Sequence, residues 1–111
     1  DDPAVLMGIL SESKHADVRR AALHAIGNVG SPAALDLLAK IAGSDADVDQ
    51  RRAAVFALGN IDSDRAVDAL VRIIENDTST RVRTAAAQAL GNIGSDKAKA
   101  ALLKILEGGD N

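Results

Sequence analysis

The stretch AIGNVGS at residues 25–31 returns as ALGNIDS at 57–63 and as ALGNIGS at 89–95, at equal spacing. A glycine in a helix interior costs roughly 1 kcal/mol relative to alanine, so glycines repeated within an otherwise helical pattern need an offsetting gain. Extending the frame outward points to its source. Superimposing residues 31–62 on 63–94 without a gap matches 14 of 32 positions, among them Ser31, Asp45, Arg51, Ala54, Leu58 and Asn60. Residues 1–30 fit the same frame with a trimmed start, and 95–111 supply the first half of another unit. The chain reads as a single domain, 1–111, of about three and a half repeats at 1–30, 31–62, 63–94 and 95–111, and a fixed period of this length is the signature of a solenoid.

Each unit holds two helical patterns. The first, A, runs from about Pro32 to Ala42 with Ala34, Leu38, Ile41 and Ala42 at helical spacing; its copies are Ala66, Leu70, Ile73 and Ile74, then Ala98, Leu102, Ile105 and Leu106. Ser31, Ser63 and Ser95 precede these segments as N-caps, and Pro32 suits the first helical position. Polar turns GSDAD at 43–47 and ENDTS at 75–79 close the A segments, with EGGDN at 107–111 as the third copy. The second pattern, B, carries Val18, Ala22, Ala25, Ile26 and Val29, then Ala54, Ala57, Leu58 and Ile61, then Val82, Ala86, Ala89, Leu90 and Ile93. Gly30 and Gly94 are predicted left-handed residues at the ends of B, with Asp62 as a tolerable substitute. Very short connections join each B to the next A, so neighbouring helices must run antiparallel. Gly27, Gly59 and Gly91 lie near the end of B, where a missing side chain is expected to let the following helix A approach more closely than an ordinary helix pair allows. A phosphate-binding reading of GNVG fails, because the glycine belongs to a helix C-terminus, whose dipole repels anions.

Composition agrees with helices packed on helices. Of 111 residues 47% are apolar, yet there is one Phe, one Met and no Tyr or Trp, so the interior must be built from Ala, Leu, Ile and Val at close approach. A shortage of β-branched clusters argues against a sheet. Thirteen Lys and Arg against sixteen Asp and Glu give a net charge of −3 with the signs interspersed, which is not a nucleic-acid footprint. The absence of cysteine excludes disulfides, Cys-ligated metal and thiol chemistry but leaves the compartment open, with the cytoplasm favoured. No apolar run approaches the roughly 20 residues of a membrane span. The chain opens DDPAVL without an initiating Met, as a processed product or an excised domain would.

The segments VRRAALHAIGNVG at 18–30, QRRAAVFALGNID at 50–62 and VRTAAAQALGNIG at 82–94 resemble the HEAT-like repeats of the phycobilisome-lyase type. The resemblance covers essentially the whole chain and implies an all-α superhelix, a solenoid of helical hairpins. Families with such repeats include bilin lyase subunits, an iron-dependent hydroxylase, DNA-alkylation repair proteins and protein-binding scaffolds. The hydroxylase binds iron through His-Glu dipeptides, whereas His15 and His24 are each followed by alanine, so that activity is excluded. One Phe and an acidic net charge argue against the DNA-repair branch.

In repeats of this kind the B helices line the concave side, so the resemblance implies a binding surface there. Positions that vary within an otherwise fixed unit mark its contacts. Arg20, His24 and Asn28 share one face of B, with copies Arg52, Phe56, Asn60 and Thr84, Gln88, Asn92. Phe56 reads either as a contact or as packing against an alanine-rich helix. The recurring Asn28, Asn60 and Asn92 read either as donors to an extended peptide or as caps for B carbonyls and for one another. Arg19, Arg51 and Arg83 recur in every unit, which favours a ladder of ion pairs between repeats, to Asp17, Asp45, Asp49 or Asp77, over a ligand site. His15 and His24 are too few for a metal site and suit solvated or capping roles. With no catalytic constellation and no cofactor or metal site, the expected function is a non-enzymatic scaffold that binds a protein or peptide, with neither nucleic acid nor membrane as partner. The alternatives are an accessory subunit of an enzyme such as a bilin lyase, or an engineered consensus-like scaffold. The last A segment lacks a following B to cover Leu102, Leu103, Ile105 and Leu106, which predicts an end-to-end homodimer or a piece of a longer array.

Overall fold

The computed structural model describes residues 14–44 and 47–108, with Val5, Gly8 and Glu12. The A segment of the unit at 1–30 is otherwise outside the described residues, as are 45–46 of the first polar turn and 109–111. From residue 14 onward the helices are α1 (Ala16–Val29), α2 (Pro32–Ser44), α3 (Val48–Leu58), α4 (Asp64–Asn76), α5 (Thr80–Ile93) and α6 (Asp96–Gly108), with no strand among the described residues. The odd-numbered helices are the B segments and the even-numbered ones the A segments. None of them is long and apolar enough to cross a membrane.

Local chemistry starts and stops these helices much as the repeats predict. The Ser31 hydroxyl accepts from the Ala34 amide, Ser63 from Arg65 and Ser95 from Ala98, each at 3.2 Å. Each such bond satisfies one of the orphan donors of a first helical turn. On the B helices Asp47 accepts from the Asp49 amide at 2.8 Å and Ser79 from Val82 at 3.4 Å, while His15 occupies the N-cap position of α1. Gly30 and Gly94 end α1 and α5 in the left-handed region, with φ of +67° and +66°. The middle unit departs from expectation. Asp62 does not adopt a left-handed conformation, since no residue other than glycine has positive φ among the described residues. A Cβ makes that region costly, so α3 stops at Leu58 and the chain tightens instead, with Asn60 donating to the Ala57 carbonyl and Ile61 to that of Leu58.

Packing arranges the helices in two layers. α1, α3 and α5 lie side by side, α2, α4 and α6 form the other layer, and α2 and α4 each pack most extensively on the B helix that follows. Leu23, Ile26, Leu38, Leu58, Leu70 and Leu90 are fully buried between them, with Ala54, Ala66, Ala86 and Ala98 filling the narrow places.

The glycines do permit close approach, but toward a different neighbour from the one expected. A Cβ on Gly27 would lie 2.9 Å from the Ala57 carbonyl oxygen and 3.0 Å from the Ala57 Cβ; one on Gly59 would lie 2.9 Å from the Ala89 Cβ. The element drawn in is therefore the next B helix, α3 onto α1 and α5 onto α3, rather than the next A helix. Lateral stacking of the B layer is what offsets the glycine.

Position within the stack also overrides the apolar pattern. Val18 belongs to the B stripe yet is 41% exposed, while its counterpart Val82 is buried. α5 packs against both α3 and α4, whereas no B helix among the described residues precedes α1. Gln50, the counterpart of both valines, is buried even though it is polar, and its side-chain amide has no protein partner among the described residues.

Candidate protein-binding face of the B helices

The nine polar or variable positions form three rungs on the outer side of the B layer. Residues four apart on one helix rise about 6 Å, and neighbouring rungs are drawn together by the Gly27–Ala57 and Gly59–Ala89 contacts. Arg20, His24, Asn28, Phe56, Asn60, Thr84, Gln88 and Asn92 are exposed; Arg52 is half-buried.

In the central rung the Arg52 guanidinium carbon lies 5.5 Å from the centroid of the Phe56 ring. This is an i, i+4 pair on one helix face, and a cation over an aromatic quadrupole is attractive. Phe56 is 41% exposed, so its ring lies against Arg52 and water instead of filling the core. The pair presents a flat, partly apolar plate with a fixed positive charge in the middle of the layer.

The asparagine column has a structural engagement of its own. The Asn92 amide nitrogen donates to the Gly59 carbonyl at 3.0 Å and to Asn60 Oδ1 at 3.4 Å. Gly59 lies beyond the end of α3, so its carbonyl needs a donor from outside the helix. Asn60 itself occupies the tight turn after α3 and not the helix, so the middle rung carries only two helical positions.

Of the recurrent arginines, Arg51 belongs to a joint between units. Arg51 reaches across to the loop before α5, where its Nε and one terminal nitrogen donate to the two Asp77 oxygens at 3.0 and 3.3 Å. Both side chains are largely buried, at 14% and 7% exposure, and a two-pronged guanidinium–carboxylate pair is the strong form of this contact. Arg83, the copy in the last full unit, is exposed and donates to Thr80 Oγ1 at 3.4 Å.

Other pairs between helices were not foreseen from the sequence. Arg65 bonds Asp36, Lys97 lies 3.0 Å from Asp68, and Arg81 lies 3.6 Å from Asp49. In all three the partners belong to successive units, and the available signal was an acid at 36 and 68 set against a base at 65 and 97. On the A face a cleft of about 390 Å³ opens between α2 and α4, with Lys40, Arg72 and Asp77 among its walls.

The repeat pattern has a match among known families. The family model for HEAT repeats matches residues 3–53 and 41–111. Among solved structures, the complex of CpcE and CpcF of phycocyanin lyase from Nostoc sp. PCC7120 contains a chain 31% identical over 97% of this sequence, with a TM-score of 0.73. The present sequence spans 43% of that chain. No curated protein matches it.

Proposed function

This chain belongs to the HEAT-repeat family, and from that premise we propose that it is a non-catalytic interaction module whose B-helix face holds a protein or peptide. The observation that carries the reading is the Arg52–Phe56 plate, an aromatic ring left 41% exposed beneath a guanidinium in the middle rung. Arginine and aromatic side chains dominate binding hot spots because they combine large contact area with directional polarity. Arg20, His24, Thr84 and Gln88 surround the plate and would tune selectivity. Asn28 would be the column's available donor, since Asn92 is engaged within the protein.

The test is to isolate a bound protein from native extract and measure its affinity for variants. Phe56→Ala and Arg52→Ala should each weaken binding by about 2 kcal/mol, roughly thirtyfold, while Arg72→Ala on the A-face cleft should leave it unchanged. Weakening by Arg72→Ala alone would transfer the site to that cleft and sink the B-face reading.

A second reading is favoured by the structural neighbour. Similarity to a chain of the CpcE–CpcF complex suits an accessory subunit of a bilin lyase, in which the same face would hold the companion subunit. A change in tetrapyrrole absorbance on mixing with such a companion would support it; an unchanged spectrum would leave the plain scaffold.

A further inference from the structure

We infer that the ligand of the B face is an extended acidic segment of a partner protein. Arg20 and Arg52 together hold one of its carboxylates, and an apolar side chain two residues further along it covers Phe56. The inference rests on the reading of the B face as a peptide-binding surface and adds to it the chemistry of the peptide.

Arginine occupies the same repeat position on two successive B helices, at 20 and 52, where the third copy is Thr84. The two helices are drawn together where Gly27 receives Ala57. Helices in ordinary contact have axes about 8–10 Å apart, a span over which two arginine arms can close on a single anion. Elsewhere the cations that link successive units are met by acids: Arg51 by Asp77, Arg65 by Asp36, Arg81 by Asp49 and Lys97 by Asp68. Arg20 and Arg52 have no such acid among the described residues, and neither donates a hydrogen bond within the protein. Arg52 is half-buried and touches the Phe56 ring instead of a carboxylate. The acids one turn before them are engaged elsewhere. Asp17 Oδ1 accepts from the Val18 amide at 3.0 Å, and Asp49 is the carboxylate that faces Arg81.

Arg20, His24, Arg52, Phe56, Thr84 and Gln88 therefore include two arginines and no acid, in a chain of net charge −3. A patch of one sign concentrates ions of the other, and two like charges side by side repel until an anion enters between them. Shape then selects among anions. The planar fork of a guanidinium matches a carboxylate with two parallel hydrogen bonds. Phe56 lies one helical turn beyond Arg52, about 6 Å along α3, and alternate side chains of an extended segment are spaced about 7 Å. An acid and an apolar residue two positions apart thus fall on Arg52 and on the exposed part of the Phe56 ring, which the apolar side chain removes from water. Thr84 and Gln88 supply uncharged donors and acceptors for the backbone of the segment. A nucleic-acid strand calls for a longer run of cations and several stacking faces, and Phe56 is the one aromatic residue of the sequence.

The probe is a glycine–serine peptide carrying one glutamate and, two residues on, one leucine, titrated into the intact chain and followed by NMR. It should produce saturable shifts at the Phe56 ring and the Gln88 amide. Replacing its glutamate by glutamine should lower affinity at least tenfold, and that difference should vanish on Arg20→Gln and on Arg52→Gln chains. Arg20 is exposed, so Arg20→Gln should keep the circular dichroism of the wild type. Arg72→Gln, the same loss of charge on the A face, should keep the preference for glutamate, and an Arg20→Glu chain should prefer a peptide with lysine in that place. Equal affinity of the glutamate and glutamine peptides, with Phe56 shifted by both, would overturn the carboxylate clamp and leave the B-face reading standing. Shifts confined to the surroundings of Lys40 and Arg72 would overturn both. The clamp is also wrong if no resonance moves at up to about 5 mM peptide, or if an oligonucleotide of equal charge binds Arg20 and Arg52 more tightly at the same salt concentration.

Discussion

At Gly59 a missing methyl group governs how two helices meet. A Cβ there would lie 2.9 Å from the Ala89 Cβ and 3.3 Å from the Phe56 carbonyl, so a larger side chain must push α5 away from α3. Gly59→Leu should therefore lower stability by about 3 kcal/mol in urea denaturation. Gly91→Leu, with open space around it, should leave stability unchanged or raise it by about 0.5–1 kcal/mol as the helix loses a glycine. Equal effects at the two sites would contradict the stacking account. Gln50 presents the opposite case, a polar side chain where the copies carry Val18 and Val82. Its buried amide has no protein partner among the described residues, and burial without a hydrogen bond is costly. Gln50→Val should raise the melting temperature and add about 1 kcal/mol of stability; a drop would mean that the amide is held by bonds the valine cannot replace.

Helix boundaries depend on single caps. α4 begins after Ser63, whose hydroxyl accepts from the Arg65 amide, and Ser63→Ala should cost about 1 kcal/mol, read as a lower urea midpoint with an unchanged slope. The other ends illustrate why boundaries were only partly legible. Glycine at 30 and 94 enters the left-handed region freely, as the repeats predict, but Asp62 carries a Cβ and the helix shortens instead. A different residue at one end thus stopped α3 at Leu58, a turn short of where its copies α1 and α5 stop, at Val29 and Ile93. That shift also took Asn60 off the helix and out of the regular grid of candidate contacts.

In the whole molecule, successive units are joined by apolar stacking and by ion pairs of unequal weight. Asp36–Arg65, Asp49–Arg81 and Asp68–Lys97 have exposed side chains on both partners, so water and salt screen them. Arg51–Asp77 is largely buried. Raising NaCl from low concentration to about 0.5 M should consequently change the unfolding free energy by less than about 1 kcal/mol. Arg51→Ala should cost about 2 kcal/mol at either salt concentration, because it strands a buried carboxylate. A strong salt dependence in the wild type would assign the joints to surface charge instead. Near-neighbour joints of this kind also make stability approximately a sum over units, which is why the two ends behave differently from the middle.

The sequence by itself determined the repeat, the helix order and the antiparallel hairpins, because these follow from local periodicity, caps and short connections that each unit carries within itself. The candidate face was legible as a set of positions for the same reason: residues four apart on a helix share a side. Which partner each side chain meets was decided only by the tertiary structure. Gly59 meets Ala89 of the next B helix, Asn92 turns to the Gly59 carbonyl, Arg52 covers Phe56, and Val18 and Leu106 lie open while their copies Val82 and Ala42 are buried. Equivalent repeat positions have different surroundings because a solenoid position has neighbours on both sides only in the interior of the stack, and the number of neighbours is not a property of any one unit.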